Sequence, residues 1–205
     1  MKILKFGLPF MALLTAASGT AAGDSRVEKA MACGLSWDQA DKILSSLKRM
    51  DEAPPKLDGL AQMARPDLQS FDEWQAIGSR DGAIYFKDYD AGSNGVFGMK
   101  TKAVIMERGS PLTRTNPDRI LRIVLDADFA KARKAVLAGL GRDACEDEVS
   151  VDGVQGCLLG KPAASPADLD QLAVSVSPDG MVTYECLYID AEAQKRLDTL
   201  RDTMK

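Results

Sequence analysis

The sequence predicts an α+β fold in which helices pack on one face of an antiparallel sheet, in the order helix, strands, helix, strands, helix. Apolar residues recur at helical spacing in segments near residue 40, near residue 135 and after residue 190. The segments between them alternate apolar and polar residues and are separated by turns that contain glycine. Strands that follow one another in runs, rather than alternating singly with helices, indicate antiparallel neighbours.

The first predicted helix begins after Ser36. Ser36 and Gln39 have the spacing of a capping box, in which each side chain binds the backbone N–H group of the other residue. The helix stops before Pro54-Pro55, and a short second helix is predicted before Pro66. The apolar faces of these two helices comprise Trp37, Ala40, Ile43, Leu44, Leu47 and Met50, then Leu57, Leu60 and Met63.

A first group of strands is predicted between residues 74 and 126. Asp81-Gly82 and Asn94-Gly95 lie between them, and such dipeptides supply the positive φ that a tight hairpin turn needs. The strands are therefore expected to be antiparallel neighbours. They cover residues 74–78, 83–88, 97–106 and 119–126, with Leu121, Ile123 and Leu125 on one face of the last strand.

Two later helices are predicted from their caps. Asp128 and Asp190 each precede an amphipathic segment, and an aspartate in this position accepts hydrogen bonds from the N–H groups of the first turn. Gly141 is placed to end the earlier of the two helices. Their inward residues are predicted to be Phe129, Ala132, Val136 and Leu140, then Ala193, Leu197, Leu200 and Met204.

The last third of the chain predicts a second group of strands. Residues 154–159 form one strand, and residues 162–170 form a linker. Residues 172–177 and 181–189 are predicted to pair as a hairpin around Pro178-Asp179-Gly180.

Residues 1–22 have the features of a signal peptide. Lys2 and Lys5 make a basic start, an apolar run of roughly a dozen residues follows, and small residues at 19–22 fit a cleavage site. The run is shorter than the ~20 residues that cross a bilayer, and no later segment is long and apolar enough to do so. We therefore expect a single α+β domain over residues 23–205 that is periplasmic or secreted, with no membrane span.

The chain contains four cysteines. An even number of cysteines in an exported protein predicts two disulfides, for which three pairings are possible. The turn-like residues 151–153 lie between Cys145 and Cys157, which favours that bridge and leaves Cys33 to pair with Cys186. No Cys-x-x-Cys motif is present, so we expect structural rather than redox-active cysteines.

Composition excludes several functions. The chain has 26 Lys and Arg against 30 Asp and Glu, which argues against nucleic acid or an anionic membrane surface as its main partner. It contains no histidine. Serine and cysteine hydrolases usually take their base from histidine, and catalytic zinc usually takes ligands from it. We therefore expect neither a cofactor nor a metal.

Two short strings imitate catalytic motifs. Ser93 stands where the nucleophile of an α/β-hydrolase would stand, but it lies between predicted strands, and the chain has no histidine to serve it. Ser45 and Lys48 have the Ser-x-x-Lys spacing of penicillin-recognising enzymes, whose other motifs are missing here. We interpret the first string as a hairpin loop and the second as the polar side of an amphipathic helix.

Carboxylate side chains serve in two other kinds of site, the acidic pair of a glycosidase and the calcium-binding loop. An acidic pair can hydrolyse glycosidic bonds without histidine, although the chain is poor in the aromatic residues that usually line sugar clefts. Asp88 and Asp90 begin like a calcium loop, but the sixth-position glycine is missing and Met99 stands in place of the final glutamate. We interpret a denser acidic group as a solvated loop; it comprises Asp143, Glu146, Asp147, Glu148 and Asp152.

The segment from Lys100 to Lys134 is basic, with nine cations against four carboxylates. In one interpretation these cations pair with acidic regions of the same chain or keep the protein in solution. In the other they form a docking face for an acidic protein or a polyanionic envelope polymer. The residues predicted to form that face are Lys100, Lys102, Arg108 and Arg114.

The function predicted from these observations is that of a non-enzymatic binding module of the cell envelope, such as an inhibitor, an immunity protein or an accessory protein. Two alternatives remain open: a carboxylate-based hydrolase of an envelope polysaccharide, and an assembly factor or chaperone. A deep cleft with two facing carboxylates favours the hydrolase. A charged or aromatic patch favours the binding module.

Overall fold

The computed structural model describes residues 24–50, 75–77, 84–109 and 118–203. These residues form an α+β fold of four helices and nine strands. The predicted signal peptide, the short helix before Pro66 and Arg114 lie outside the described residues. The helices are α1 (Ser25–Met31), α2 (Trp37–Leu44), α3 (Phe129–Gly139) and α4 (Ala191–Thr203). The strands are β1 (Gln75–Ile77), β2 (Ile84–Asp90), β3 (Gly95–Val96), β4 (Met99–Gly109), β5 (Asp118–Leu125), β6 (Asp147–Val151), β7 (Val154–Leu158), β8 (Leu169–Val176) and β9 (Val182–Ile189).

The sheet has the strand order β1-β2-β4-β5-β9-β8-β7-β6, and all of its pairs are antiparallel. The short strand β3 pairs with β4 outside this path. Strands that precede α3 fill one half of the sheet and strands that follow it fill the other. The two halves meet where β5 pairs with β9, for example Leu121 opposite Cys186.

The main hydrophobic core joins three helices to alternate residues of the strands. It contains buried residues of α1, α2 and α3 together with Leu121, Ile123 and Leu125 of β5, which were predicted to share a face. The opposite face of the sheet carries a smaller cluster built from Phe86, Ala103, Ile105 and Val124. It also carries several charged side chains, which are described below.

Both predicted disulfides are present, with the pairing that the sequence favours. Cys33 follows α1 and bonds to Cys186 of β9, with their Cα atoms 6.0 Å apart. Cys145 precedes β6 and bonds to Cys157 of β7, with a Cα separation of 5.4 Å. The first bridge closes a loop of 153 residues and the second a loop of 12.

Helix α2 begins where predicted, but its cap differs from the prediction. The Ser36 side chain makes no capping hydrogen bond, so the predicted capping box with Gln39 is wrong. Instead the Trp37 backbone N–H donates to Oδ2 of Asp168 at 2.8 Å, across 131 residues of sequence. A tertiary contact with the segment before β8 therefore satisfies this end of the helix.

Helix α2 is also shorter than predicted. It ends at Leu44, so Leu47 and Met50 lie beyond it. The backbone there binds β2 instead: the Asp90 N–H donates to the Lys48 carbonyl at 2.8 Å, and the Met50 N–H donates to the Asp88 carbonyl at 3.2 Å. Pairing with the edge of β2 thus replaces a further helical turn.

The turn between β3 and β4 lies three residues after the predicted one. Phe97 and Gly98 have φ values of 51° and 70°, and these two residues connect the paired strands. Asn94 instead holds the preceding loop, because its Nδ2 donates to the Ala91 carbonyl at 2.9 Å. The turn predictions at Gly153 and Gly180 agree with the structure, since both glycines have positive φ. The predicted turn at Asp81-Gly82 lies outside the described residues.

Both predicted aspartate caps are present. Asp128 accepts from the Lys131 N–H at 2.8 Å, and Gly141 has a φ of 65° directly after the end of α3. Asp190 accepts from the N–H groups of Glu192 and Ala193 at the start of α4.

Candidate binding surface

Two of the predicted docking residues lie together at the start of β4. The side chains of Lys100 and Lys102 are exposed, while Thr101 between them is buried. The register of β4 against β5 is irregular between Thr101 and Ala103. Lys102 therefore projects into solvent, where its Nζ lies 3.1 Å from Oδ1 of Asp126 at the end of β5.

Asp126 is the centre of a cluster of three lysines. Lys102 donates to it, and this bond together with the positive charges of Lys102, Lys100 and Lys131 lowers the pKa of the Asp126 carboxyl. Lys131 belongs to the first turn of α3 and is exposed. We call Lys100, Lys102 and Lys131 the lysine cluster; it carries three positive charges around the exposed carboxylate of Asp126.

Arg108, the third predicted docking residue, does not join this cluster. Arg108 lies near the opposite end of β4, six residues from Lys102. Six residues of strand span about 20 Å, which is about two Debye lengths at physiological ionic strength. Arg114 lies outside the described residues.

Much of the remaining basic segment pairs within the chain. Arg119 binds Asp190 and lies 3.6 Å from Asp38, while Arg133 binds Glu148. Arg122 on β5 donates to Glu107 on β4 at 2.7 Å and to Glu185 on β9 at 2.8 Å. These pairs match the first interpretation of the basic segment, that its cations pair with acidic residues of the same chain.

A groove lies beside the lysine cluster, between α3 and the hairpin formed by β6 and β7. It has a volume of about 670 Å³. Lys134 lines it and follows Lys131 by one helical turn, so the positive charge continues along α3 into the groove. Its lining is mainly apolar and cationic, with one acid and one amide, and comprises Phe129, Ala130, Arg133, Lys134, Leu137, Ala138, Arg142, Asp143 and Gln155.

The face of the sheet that carries Arg122 has a second groove, of about 360 Å³. Arg122 and Glu185 line one end of it, and Thr183 donates to Oε1 of Glu185 at 2.8 Å. Val149, Val154 and other apolar residues of β6 to β8 line the rest. Its charged groups are thus bound to one another rather than open to a ligand.

Asp88 is a buried acid on the same face of the sheet. Its residue is 1% exposed, and neither carboxylate oxygen has a hydrogen-bond partner. Burial raises the pKa of this carboxyl, and the nearby charge of Arg49 opposes the shift only in part. Asp88 and Asp90 both belong to β2, so the string that begins like a calcium loop is strand.

The described residues contain neither a cluster of metal ligands nor a membrane-spanning helix. In residues 24–50, 75–77, 84–109 and 118–203, no group of three His, Cys, Asp or Glu side chains converges as metal ligands. No helix in this part of the chain is long and apolar enough to cross a membrane. Ser93 lies in the exposed loop between β2 and β3, as interpreted from the sequence.

Comparison with known proteins identifies no relative: the chain matches no protein-family model, no curated protein and no solved structure. The functional interpretation therefore depends on the geometry and electrostatics of the chain itself.

Proposed function

We propose that this chain is an exported, non-enzymatic binding module that engages an acidic partner through the lysine cluster. The partner is a protein or a polyanionic polymer of the cell envelope. Docking by exposed lysines acts mainly on the rate of encounter and on specificity, because solvent screens each charge.

The observation that carries this proposal is the excess of positive charge around Asp126. Strand β4 and helix α3 bring three lysines to Asp126. Asp128, which caps α3 beside Lys131, is a second exposed carboxylate, so one positive charge remains in excess for a partner. The rest of the chain is acidic, with a net charge of −4 overall. A basic patch on an acidic protein gives the molecule an oriented field, which steers an acidic partner toward the patch.

Two kinds of observation support export. The chain carries two disulfides, and such bonds persist in oxidising compartments such as the periplasm or the extracellular space. The sequence of residues 1–22 has the three regions of a signal peptide.

The geometry favours binding over the alternative hydrolase. The facing carboxylates nearest to a catalytic pair are Glu107 and Glu185, on the two strands that flank β5. The Arg122 guanidinium lies between them and donates to both. A glycosidase needs that space for the sugar and for water, so we assign this trio to the stability of the sheet.

The proposal is tested by reversing the charge of the lysine cluster. The triple variant Lys100→Glu, Lys102→Glu, Lys131→Glu should slow association with the partner captured from an envelope extract by at least tenfold at low salt. The salt dependence of the association rate should also flatten, and both are measured by surface plasmon resonance at several ionic strengths.

A matched control reverses three exposed lysines elsewhere on the surface, at Lys42, Lys48 and Lys195. This control changes the net charge equally, so an effect of net charge alone appears in both variants. Equal association rates for the two variants would show that the lysine cluster is not the docking site.

A further inference from the structure

We propose that the groove between α3 and the β6–β7 hairpin binds an extended peptide segment of the acidic partner, one that carries carboxylates beside apolar side chains. The inference rests on the proposed function and deepens it, because it assigns the partner to proteins rather than to polysaccharides. Three features of the groove support it. The floor is apolar, the walls carry cations, and carboxylates of the same chain are bound to two of those cations.

The floor of the groove is one face of α3. Phe129 and Leu137 line it and lie about two helical turns apart. From Phe129 to Ala138 the helix rises by about 13 Å, the length of about four residues of extended chain. A short extended segment therefore matches the groove in length, and its volume of about 670 Å³ is that of a small-ligand site.

The walls carry one acid, Asp143, and three cations: Arg133 and Lys134 on α3, and Arg142 after it. Two of them already bind carboxylates, because Arg133 binds Glu148 and Arg142 lies 3.0 Å from Oε1 of Glu146. These contacts show that both guanidinium groups are placed to receive a carboxylate. The groove therefore has the chemistry of a carboxylate-binding site.

The internal carboxylates are exchangeable. The side chains of Glu148 and Glu146 are 65% and 59% exposed. An ion pair at that exposure contributes little net free energy because solvent screens it, so a carboxylate from a partner can displace it. Lys134 is exposed and adds a positive charge beside the two arginines.

The apolar floor decides between the two classes of partner. A polyanionic polysaccharide presents hydroxyl and carboxylate groups along its length, and it would leave the half-buried Phe129 and the exposed Ala138 uncovered. A peptide that alternates acidic and apolar residues places one set of side chains on the floor and the other on the cations. The groove therefore fits a peptide better than a sugar polymer.

The test is calorimetric titration of the purified protein with an acetylated five-residue peptide that alternates aspartate and leucine. The variant Glu148→Gln removes the internal competitor of Arg133 and should tighten peptide binding by about two- to fivefold. The double variant Arg133→Ala, Lys134→Ala should weaken it by at least about tenfold. Circular dichroism confirms that each variant is folded.

The control is Asp152→Asn, which removes the same charge from the same hairpin. Asp152 lies in the β6–β7 turn and lines no part of the groove. A general electrostatic effect predicts equal tightening in the Asp152 and Glu148 variants, and that result would overturn the inference. Tightening confined to Glu148→Gln supports it.

A second titration with polygalacturonate separates the two proposals. If this polymer binds through the lysine cluster and the peptide does not bind, the groove inference fails and the proposed function stands. If the peptide binds and the lysine-cluster variant still captures its partner at the wild-type rate, the proposed role of that cluster fails. Peptide binding that is unchanged by Arg133→Ala, Lys134→Ala would also overturn the groove.

Discussion

At the scale of single residues, Asp88 is the group whose environment is least suited to its charge. Both of its carboxylate oxygens are buried without a hydrogen bond, and the cation whose charge acts on it is Arg49, just after α2 on the segment that pairs with β2. Residues on the same face of the neighbouring strand β4 include Ile105, opposite Asp88, and Glu107 two positions along. The site therefore favours the protonated form of the acid.

This environment predicts how stability depends on pH. Because the pKa of Asp88 is raised in the folded protein, the folded state holds a proton that the unfolded chain has already released above about pH 3.9. The contribution of Asp88 to the free energy of unfolding therefore falls as the pH rises from there through the folded pKa. The variant Asp88→Asn, which carries no charge, should be more stable than wild type at about pH 7 and lose that advantage toward about pH 4.

The measurement is urea unfolding of wild type and variant across this pH range. The control is Asp126→Asn, for which the sign is opposite: the pKa of Asp126 is lowered, so its charge stabilises the fold above its unfolded pKa. Loss of stability in Asp88→Asn at neutral pH would show that the charged form of Asp88 is stabilised after all.

The lysine cluster shows what can be predicted at the residue scale. Lys100 and Lys102 are two residues apart in one strand, so they lie close together in any fold that keeps the strand. The density of positive charge in the sequence was therefore enough to predict both as members of one site. Lys131 was recognised as part of the basic segment but not as part of the site. Its position beside Asp126 depends on how the chain turns from β5 into α3, and sequence spacing does not contain that information.

At the scale of elements, the start of α2 depends on a contact that comes from far along the chain. The Trp37 ring packs edge-on against Tyr188, with centroids 5.7 Å apart, and the Tyr188 hydroxyl donates to the Leu35 carbonyl at 3.2 Å. Asp168 accepts from the first N–H of the helix. The beginning of α2 is thus held by β9 and by the segment before β8, rather than by a local cap.

This arrangement predicts that the two possible caps differ in their contribution to stability. Asp168→Ala removes the acceptor of the Trp37 N–H and should lower the free energy of unfolding by about 1–2 kcal/mol, the usual effect of losing a helix cap. Ser36→Ala should change it by less than about 0.5 kcal/mol, since its hydroxyl caps nothing. Chemical denaturation of both variants checks the order.

The neighbouring exposed residue Asp170 provides the matched control, because Asp170→Ala changes the same charge in the same segment. If Ser36→Ala proves the more destabilising of the two cap variants, the helix is capped locally in solution, and the long-range contact contributes little.

The helices and strands that were predicted differ from those that were missed in the strength of their sequence patterns. Helix α3 was predicted with both of its ends because three signals indicate the same helix: an aspartate at its start, apolar residues at helical spacing, and a glycine just after its end. Strand β6 was missed because it is an edge strand whose residues are mostly exposed, so it has no clear alternation of apolar and polar residues. Helix α1 has only seven residues and stands directly after the predicted signal peptide.

At the scale of the whole molecule, the antiparallel sheet follows from local turns, but its central pairing does not. Hairpin signals predict that β8 pairs with β9, and they contain no information on which strand lies on the other side of β9. The structure places β5 there, so the last strand of the chain joins the two halves of the sheet. The predicted link between Cys33 and Cys186 was the one sequence signal for contact between the start of the chain and its end.

The two disulfides should therefore contribute unequally to stability. In the loop-entropy treatment, the 153-residue loop closed by Cys33 and Cys186 contributes about 5 kcal/mol, and the 12-residue loop closed by Cys145 and Cys157 contributes about 3 kcal/mol. The double variant Cys33→Ala, Cys186→Ala should then unfold at lower urea concentration than Cys145→Ala, Cys157→Ala, and it should loosen α1 as well as β9.

Urea unfolding followed by tryptophan fluorescence gives the order, since Trp37 lies between these elements. Hydrogen exchange locates the loosened amides in each variant. A larger loss for the Cys145 and Cys157 variant would mean that the short hairpin bridge, and not the long link from α1 to β9, stabilises the sheet as a whole.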